Sequence, residues 1–242
     1  MRILLINPNT TAAVTAIVAG HARRIAGATA VFVPVTGRFG ARYIATRAAA
    51  AIAGHAALDA MAEHVGGCDA VYLACFGDPG LLALREIAPV PVVGMAEAAC
   101  QAACARGSRF SIVTGGALWK PMLEEFVAMI GLGDRLASVR TIAPTGGQIA
   151  QNPEAALADL AAACAICARD DNAAVVILGG AALAGLAARI QPEVSVPVIC
   201  AVEAGTHAVI AAARAGAAPP GLAPMTDSVG LSEALARRLA GL

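Results

Sequence analysis

The chain has 242 residues, 58% apolar, 14% charged and 3% aromatic, with 17 basic and 17 acidic side chains that cancel. That composition supplies a core for one large or two small domains and excludes a disordered chain. The neutral balance, the lack of a basic run and the scarcity of rings exclude a nucleic-acid surface, which needs cationic patches and stacking platforms.

The opening MRILLINPNTT reaches polar turn residues too soon for a signal peptide, and the longest uncharged apolar run, 173–188, is shorter than a bilayer span and interrupted by Gly179, Gly180 and Gly185. A cytoplasmic protein without a membrane partner is the expectation. Residues 3–6 read as a buried strand ended by Asn7-Pro8-Asn9, with Thr10 or Thr11 capping a helix to about residue 26. A strand at 30–35, a loop with Gly and Arg at 37–43 and a long Ala-rich helix at 44–65 follow.

The stretch AVYLACFGDPG at 70–80 organises the rest. Val71, Tyr72 and Leu73 are β-formers in a continuous apolar run, as in a strand buried on both faces. Asp78 is read as the N-cap and Pro79 as the first residue of the helix LLALREIA, and a further strand follows at 91–93. This alternation of strand and helix implies a parallel sheet covered on both faces. Cys75 therefore sits at the carboxyl end of a parallel strand, the crevice where open α/β sheets bind ligands. There the positive end of the next helix favours a thiolate, the competing reading being a small buried residue.

The second half repeats the first. RILLINPNT from Arg2 aligns with RFSIVTGGA from Arg109, VYLAC from Val71 aligns with VILGG from Val176, and VPVVGMAEA from Val90 aligns with VPVICAVEA from Val196. Three segments in the same order at nearly one spacing imply two similar α/β lobes. Fold class is accordingly α/β, with two pseudo-symmetric lobes, each a mainly parallel sheet flanked by helices, and the active site in the cleft between them. The first lobe is assigned to 1–97 with about 206–242, the second to 98–205. Asn7, Asn9 and Thr10 then face Thr114 and Gly116 across the cleft, Cys75 faces Gly180, and Glu97 faces Glu203. Strand ends of this kind offer free backbone N–H groups to an anionic oxygen.

Asn7 and Thr114 suit a carboxylate or imide and equally suit helix capping. Glu97 and Glu203 are read as helix starts. Arg42, Tyr43 and Arg47 are assigned to a solvated loop, with closure over the cleft as the alternative; Trp119 and Lys120 follow the second lobe's strand in the same way. Cys164 and Cys167 lie in the helical stretch LAAACAICA, Cys100 and Cys104 one turn apart in another, and all four are read as small core-facing residues. His21, His55, His64 and His207 are scattered without metal-ligand spacing, and His21, just before Arg23 and Arg24, is assigned to a solvated helix face. No metal is expected. Ala-rich helices with few charges point to a homo-oligomer, and the partner implied is a small-molecule substrate between lobes with few aromatic walls.

INPNT at 6–10, ACFGDPGLLALRE at 74–86, PVVGMAEAA at 91–99 and RFSIVTGG at 109–116 together resemble the aspartate/glutamate racemase superfamily, and within it the hydantoin and allantoin racemases. The resemblance covers nearly the whole chain. It implies no metal, no organic cofactor, and two cysteines, one per lobe, flanking a carbon whose proton an adjacent carbonyl makes acidic. Cys75 matches the first cysteine. The second is expected at Gly180, the position the internal repeat also pairs with Cys75, and glycine carries no proton. Substrate-binding positions carried over are Asn7, Asn9, Thr10, Phe76, Thr114, Gly115, Gly179, Ala181 and Ala182. Three readings stand: a racemase or isomerase with Cys75 as acid/base, a one-cysteine enzyme similar to the arylmalonate decarboxylases of the same superfamily, and a binding protein for a small acid.

Overall fold

A computed structural model describes residues 1–216 and 227–241. The first lobe runs β1 (Arg2–Asn7), α1 (Ala12–Ala26), β2 (Val31–Thr36), α2 (Arg47–His64), β3 (Ala70–Leu73), α3 (Leu81–Ile87), β4 (Val92–Gly94) and α4 (Met95–Cys104). The second runs β5 (Phe110–Gly115), α5 (Trp119–Met129), β6 (Leu136–Ile142), α6 (Gly146–Gln151), α7 (Pro153–Asp170), β7 (Val175–Leu178), α8 (Leu186–Ile190), β8 (Val198–Cys200) and α9 (Ala201–Ala215), before the terminal α10 (Glu233–Leu239).

Each lobe is a parallel four-stranded sheet, ordered β2-β1-β3-β4 in one and β6-β5-β7-β8 in the other. The repeat seen in the sequence is thus a repeat of topology. Side chains alternate faces along each strand. Ile3, Leu5 and Tyr72 turn toward α1 and α9, in a core continuous with Phe110, Ile112 and Val176 of the second lobe. Leu4, Ile6, Val71 and Leu73 turn toward α2, α3 and α10, packing with Met61, Leu84 and Leu235.

The lobes are joined by an exchange of helices. Helix α4 leaves the end of β4 and packs also on β7 and β8, whereas α9 leaves the end of β8 and packs on β3 and β4. The seat is tight: the Tyr72 hydroxyl, fully buried in β3, donates to the Val202 carbonyl at 3.2 Å beside Gly205 of α9. The boundaries expected at 97/98 and 205/206 fall inside these two crossing helices. Of the expected return segment 206–242, residues 217–226 and 242 lie outside the described residues. Among the described residues no helix is long and apolar enough to cross a membrane.

Candidate active site

Sheet order reverses between β1 and β3 in one lobe and between β5 and β7 in the other, so each lobe has its ligand crevice at the carboxyl ends of those strands. The two crevices meet. They enclose a cavity of about 90 Å³ lined by Asn9, Thr11, Val14, Arg42, Tyr43, Ile44, Cys75 and Phe76 from the first lobe and by Thr114, Gly115, Trp119, Gly146, Gly147 and the run 180–183 from the second. One water needs ~10–15 Å³ by this measure, so the space suits a small molecule.

Cys75 follows β3 and is 7% exposed. Burial pushes its thiol up to about 12, and the nearby Asp78 carboxylate pushes the same way. This corrects the expected helix-stabilised thiolate. Helix α3 begins only at Leu81, with Gly80 as its N-cap, and the dipole of a helix acts within its first turn. At neutral pH the thiol therefore holds its proton.

Asp78 corrects a second expectation. It adopts φ 45° and does not cap α3; its buried carboxylate accepts from the backbone N–H groups of Ala96 at 2.9 Å and Glu97 at 2.8 Å, capping α4 instead. Burial pushes its pKa up to about 7, against the pull of those two hydrogen bonds. Glu97 and Glu203 do stand in the first turns of α4 and α9, and Glu97 pairs with Arg85.

Across the cavity stands Gly180. A Cβ there meets only ordinary contacts, Leu183 Cδ1 at 3.4 Å and Thr114 Oγ1 at 3.7 Å, but the backbone φ of 139° is one that side-chain-bearing residues rarely adopt. Among the described residues Cys75 is the sole thiol lining the cavity, and Arg42 its sole formal charge. Cys100, Cys164 and Cys167 are buried in helices and Cys104 is half-buried.

Of the residues expected at the site, Asn9, Cys75, Phe76, Thr114, Gly115, Gly180, Ala181 and Ala182 line the cavity; Asn7, Thr10 and Gly179 do not. Asn7 is fully buried, and its amide N–H donates to Asn9 Oδ1 at 2.9 Å and Thr15 Oγ1 at 3.0 Å, so it braces Asn9 from behind. Thr10 is half-buried, its N–H bound to the Ala41 carbonyl at 3.2 Å. Gly179 lies under the Phe76 ring, where a Cβ would collide.

Arg38, Gly40, Arg42 and Arg47 are exposed, as a solvated loop requires, but the 37–43 segment is also tied down and Tyr43 is half-buried. Thr11 Oγ1 donates to the Arg42 carbonyl at 2.9 Å, and the Tyr43 hydroxyl reaches the other lobe and donates to the Gly115 carbonyl at 3.0 Å. Aromatic walls are not few: Tyr43, Phe76 and Trp119, three of the chain's eight aromatic residues, line the cavity. Phe76 crosses to Gly179 and Trp119 crosses back to Gly77, so each lobe places a ring against a glycine of the other. Val14, Ile44, Gly146, Gly147 and Leu183 are absent from the residues expected at the site, and Thr11 is expected only as a helix cap. The internal repeat carries a signal for Gly146 and Gly147, since the segment after β6 corresponds to the 37–43 segment after β2; Val14, Ile44 and Leu183 are ordinary core types without one.

Known proteins agree with this geometry. The Asp/Glu/Hydantoin racemase family model matches residues 3–209. A hydantoin racemase of Paenarthrobacter aurescens is 36% identical over 208 residues, 84% of this chain and 87% of that protein. The structure of an allantoin racemase from Klebsiella pneumoniae superposes with a TM-score of 0.89 at 30% identity, covering 97% of this chain and 98% of that one. An arylmalonate decarboxylase structure, at 18% identity and a TM-score of 0.63 over 91% of this chain and 96% of its own, shares the fold alone. With two sheets of one topology, a cleft at their facing strand ends and a family match over most of its length, the chain belongs to the Asp/Glu/hydantoin racemase family, a family of racemase enzymes.

Proposed function

We propose that the chain moves a proton at a carbon made acidic by a neighbouring carbonyl, in a small ring or amide of the hydantoin or allantoin type, with Cys75 as the one acid/base. The observation that carries this is the asymmetry of the cavity: a single thiol on one face and Gly180 on the other. In the forward step the Cys75 thiolate takes the α-proton while the C–H electron pair shifts onto the carbonyl oxygen, giving a planar enolate. Arg42, the sole formal charge lining the cavity among the described residues though itself exposed, supplies positive charge toward that oxygen. In the return step the Cys75 thiol gives a proton, by then exchanged with solvent, back to the carbon. No cofactor is needed, because the carbonyl itself is the electron sink.

A second reading is favoured by the raised thiol pKa. A thiol that holds its proton at neutral pH suits one-sided protonation of a carbanion made in another way, as when carbon dioxide leaves a malonate. The bare face at Gly180 leaves room for that carboxylate.

Proton NMR in deuterated water tests both, following the α-proton of hydantoins, allantoin, amino acids and arylmalonates with wild type and Cys75→Ser. The expected result is exchange by wild type that falls by about 10²–10⁴-fold in Cys75→Ser, the usual worth of a general acid/base. Carbon dioxide release from an arylmalonate selects the second reading. Exchange unchanged in Cys75→Ser removes Cys75 from the chemistry, and ligand-dependent stabilisation without exchange in either protein selects a binding protein.

A further inference from the structure

His21, Cys200 and Glu203 come from three parts of the sequence that offered no ligand pattern, yet their ligand atoms all lie within 4.8 Å of one another. His21 is not on a free helix face. It sits in α1 with its ring against Gly185, at 3.1 Å from where a Cβ would stand, and its Nε2 is 4.0 Å from Cys200 Sγ. Cys200 ends β8 and is 5% exposed; Glu203 is exposed in the first turn of α9. The three surround one point at the junction of the lobes.

We propose that His21, Cys200 and Glu203 bind a divalent cation of the zinc class, which ties α1 of the first lobe to the β8–α9 junction. One imidazole, one thiolate and one carboxylate make a borderline-soft donor set, whose two negative charges balance a dication. Distances of about 2.3 Å to sulfur and 2.0 Å to nitrogen, at a tetrahedral angle, place those two ligands roughly 3.5 Å apart. The observed 4.0 Å closes to that with a shift of about half an ångström. The fourth position is left to solvent, toward a groove that Cys200, Glu203 and His207 line.

Two changes accompany binding. The Cys200 thiol gives its proton to solvent as the metal–sulfur bond forms. His21 Nδ1 now accepts from Arg24 Nη2 at 2.9 Å; when Nε2 turns its lone pair to the metal, Nδ1 carries the ring proton and the exposed Arg24 side chain swings away. Arg24 therefore opposes the cation. The site also reaches the cavity, since α1 and its N-cap line it through Val14 and Thr11 and α1 packs on the 181–183 turn, which lines it too.

The test is Zn²⁺ titration of the reduced full-length chain against a chromophoric chelator, with Co²⁺ as the spectroscopic probe. The expected result is one equivalent bound at micromolar concentration, a thiolate-to-cobalt charge-transfer band, and a higher melting temperature with zinc. In Cys200→Ser the band disappears and affinity falls by more than about 100-fold, beyond the cost of losing an outer partner. His21→Gln, a polar change on a half-buried helix position, weakens binding likewise should Cys200→Ser fail to fold. Arg24→Ala tightens it, and Cys75→Ser leaves it unchanged. Absence of stoichiometric binding, or a band that survives Cys200→Ser or vanishes with Cys75→Ser, overturns the proposal.

Discussion

The β3–α3 junction of the first lobe and the β7–α8 junction of the second correspond in the repeat but differ in contents and in backbone. Each ends on a left-handed glycine that caps the next helix, Gly80 at φ 82° and ψ 10°, Gly185 at φ 83° and ψ −5°. Five residues before each lies the position that faces the cavity, Cys75 in one and Gly180 in the other. The closing glycine is kept, but the backbone that presents the residue is not: Gly180 sits at φ 139° where Cys75 has no positive φ, and Gly77 and Asp78 have positive φ where Ala182 and Leu183 do not. The helix-capping glycine is thus what the two turns share, and the residue each presents differs in backbone as well as in chemistry.

The sharpest way to break the comparison is to remove the chemistry from the lobe that has it. Cys75→Ser keeps the shape of the site and is expected to cut proton exchange by about 10²–10⁴-fold, with the melting temperature little changed. The wild-type rate carries its own signature. Because the Cys75 pKa is raised to about 12, the thiolate that abstracts a proton gains population as pH rises, and kcat/KM for exchange climbs about tenfold per pH unit from 7 upward. A plateau at neutral pH means that the working base is another group.

Next comes the shared glycine itself. A Cβ on Gly80 meets the Gly54 Cα of α2 at 2.9 Å, a backbone neighbour that cannot step aside, whereas a Cβ on Gly185 meets only the His21 ring at 3.1 Å. Gly80→Ala combines positive-φ strain with overpacking and is expected to cost about 2–4 kcal/mol. Gly185→Ala is expected to cost about 1–2 kcal/mol, mainly the strain of a side chain at positive φ. Denaturant midpoints measure both, and equal losses contradict the difference in packing.

Asp78 has no acidic counterpart at the second turn, where Leu183 stands. Its folded pKa of about 7 lies above the ordinary carboxylate value, so the native chain binds the proton more tightly than the unfolded chain. The stabilisation is complete below about pH 4 and is lost as pH rises toward 7. A tenfold difference in proton affinity between the two states is worth about 1.4 kcal/mol. Wild type should therefore lose at least about that much stability relative to Asp78→Asn between pH 4 and 7. The same substitution moves the Cys75 limb to lower pH, since the Asp78 charge helps to hold that thiol up. Parallel stability curves for the two proteins contradict the raised carboxyl pKa.

Apolar runs broken by INPNT, GDPG and TGG marked strands and strand ends directly, because a strand buried on both faces must be apolar and must stop where the chain turns. Two such series at one spacing made the two lobes legible, and with them Cys75, Thr114 and Gly180 as facing positions. What stayed hidden was long-range. Asp78 beside Pro79 carries the local signature of a cap for its own helix, and nothing in that signature says that its carboxylate serves α4, eighteen residues on. Tyr43 and Trp119 look like loop residues until the other lobe is brought against them. His21 and Cys200 are 179 positions apart, and only the crossing of α9 to the first lobe lets them meet.

The weakest expected effects separate two links between the lobes. Arg47 of α2 pairs with Glu125 of α5 across the cleft rim, with side chains 62% and 59% exposed. An ion pair in that much water is screened and holds two long side chains at an entropic cost, so Arg47→Ala is expected to leave the melting temperature within about 1 °C of wild type. Tyr43 makes the other link, a half-buried hydroxyl on the Gly115 carbonyl inside the cavity wall. Tyr43→Phe removes one neutral hydrogen bond, about 1 kcal/mol, where the Tyr43 ring lines the cavity. Its effect should fall on KM by about fivefold, with kcat nearly unchanged, because the hydroxyl holds a wall and not the reacting carbon. A matching loss in kcat places the Tyr43 hydroxyl at the reacting atoms, as the acid/base of the face that Gly180 leaves bare.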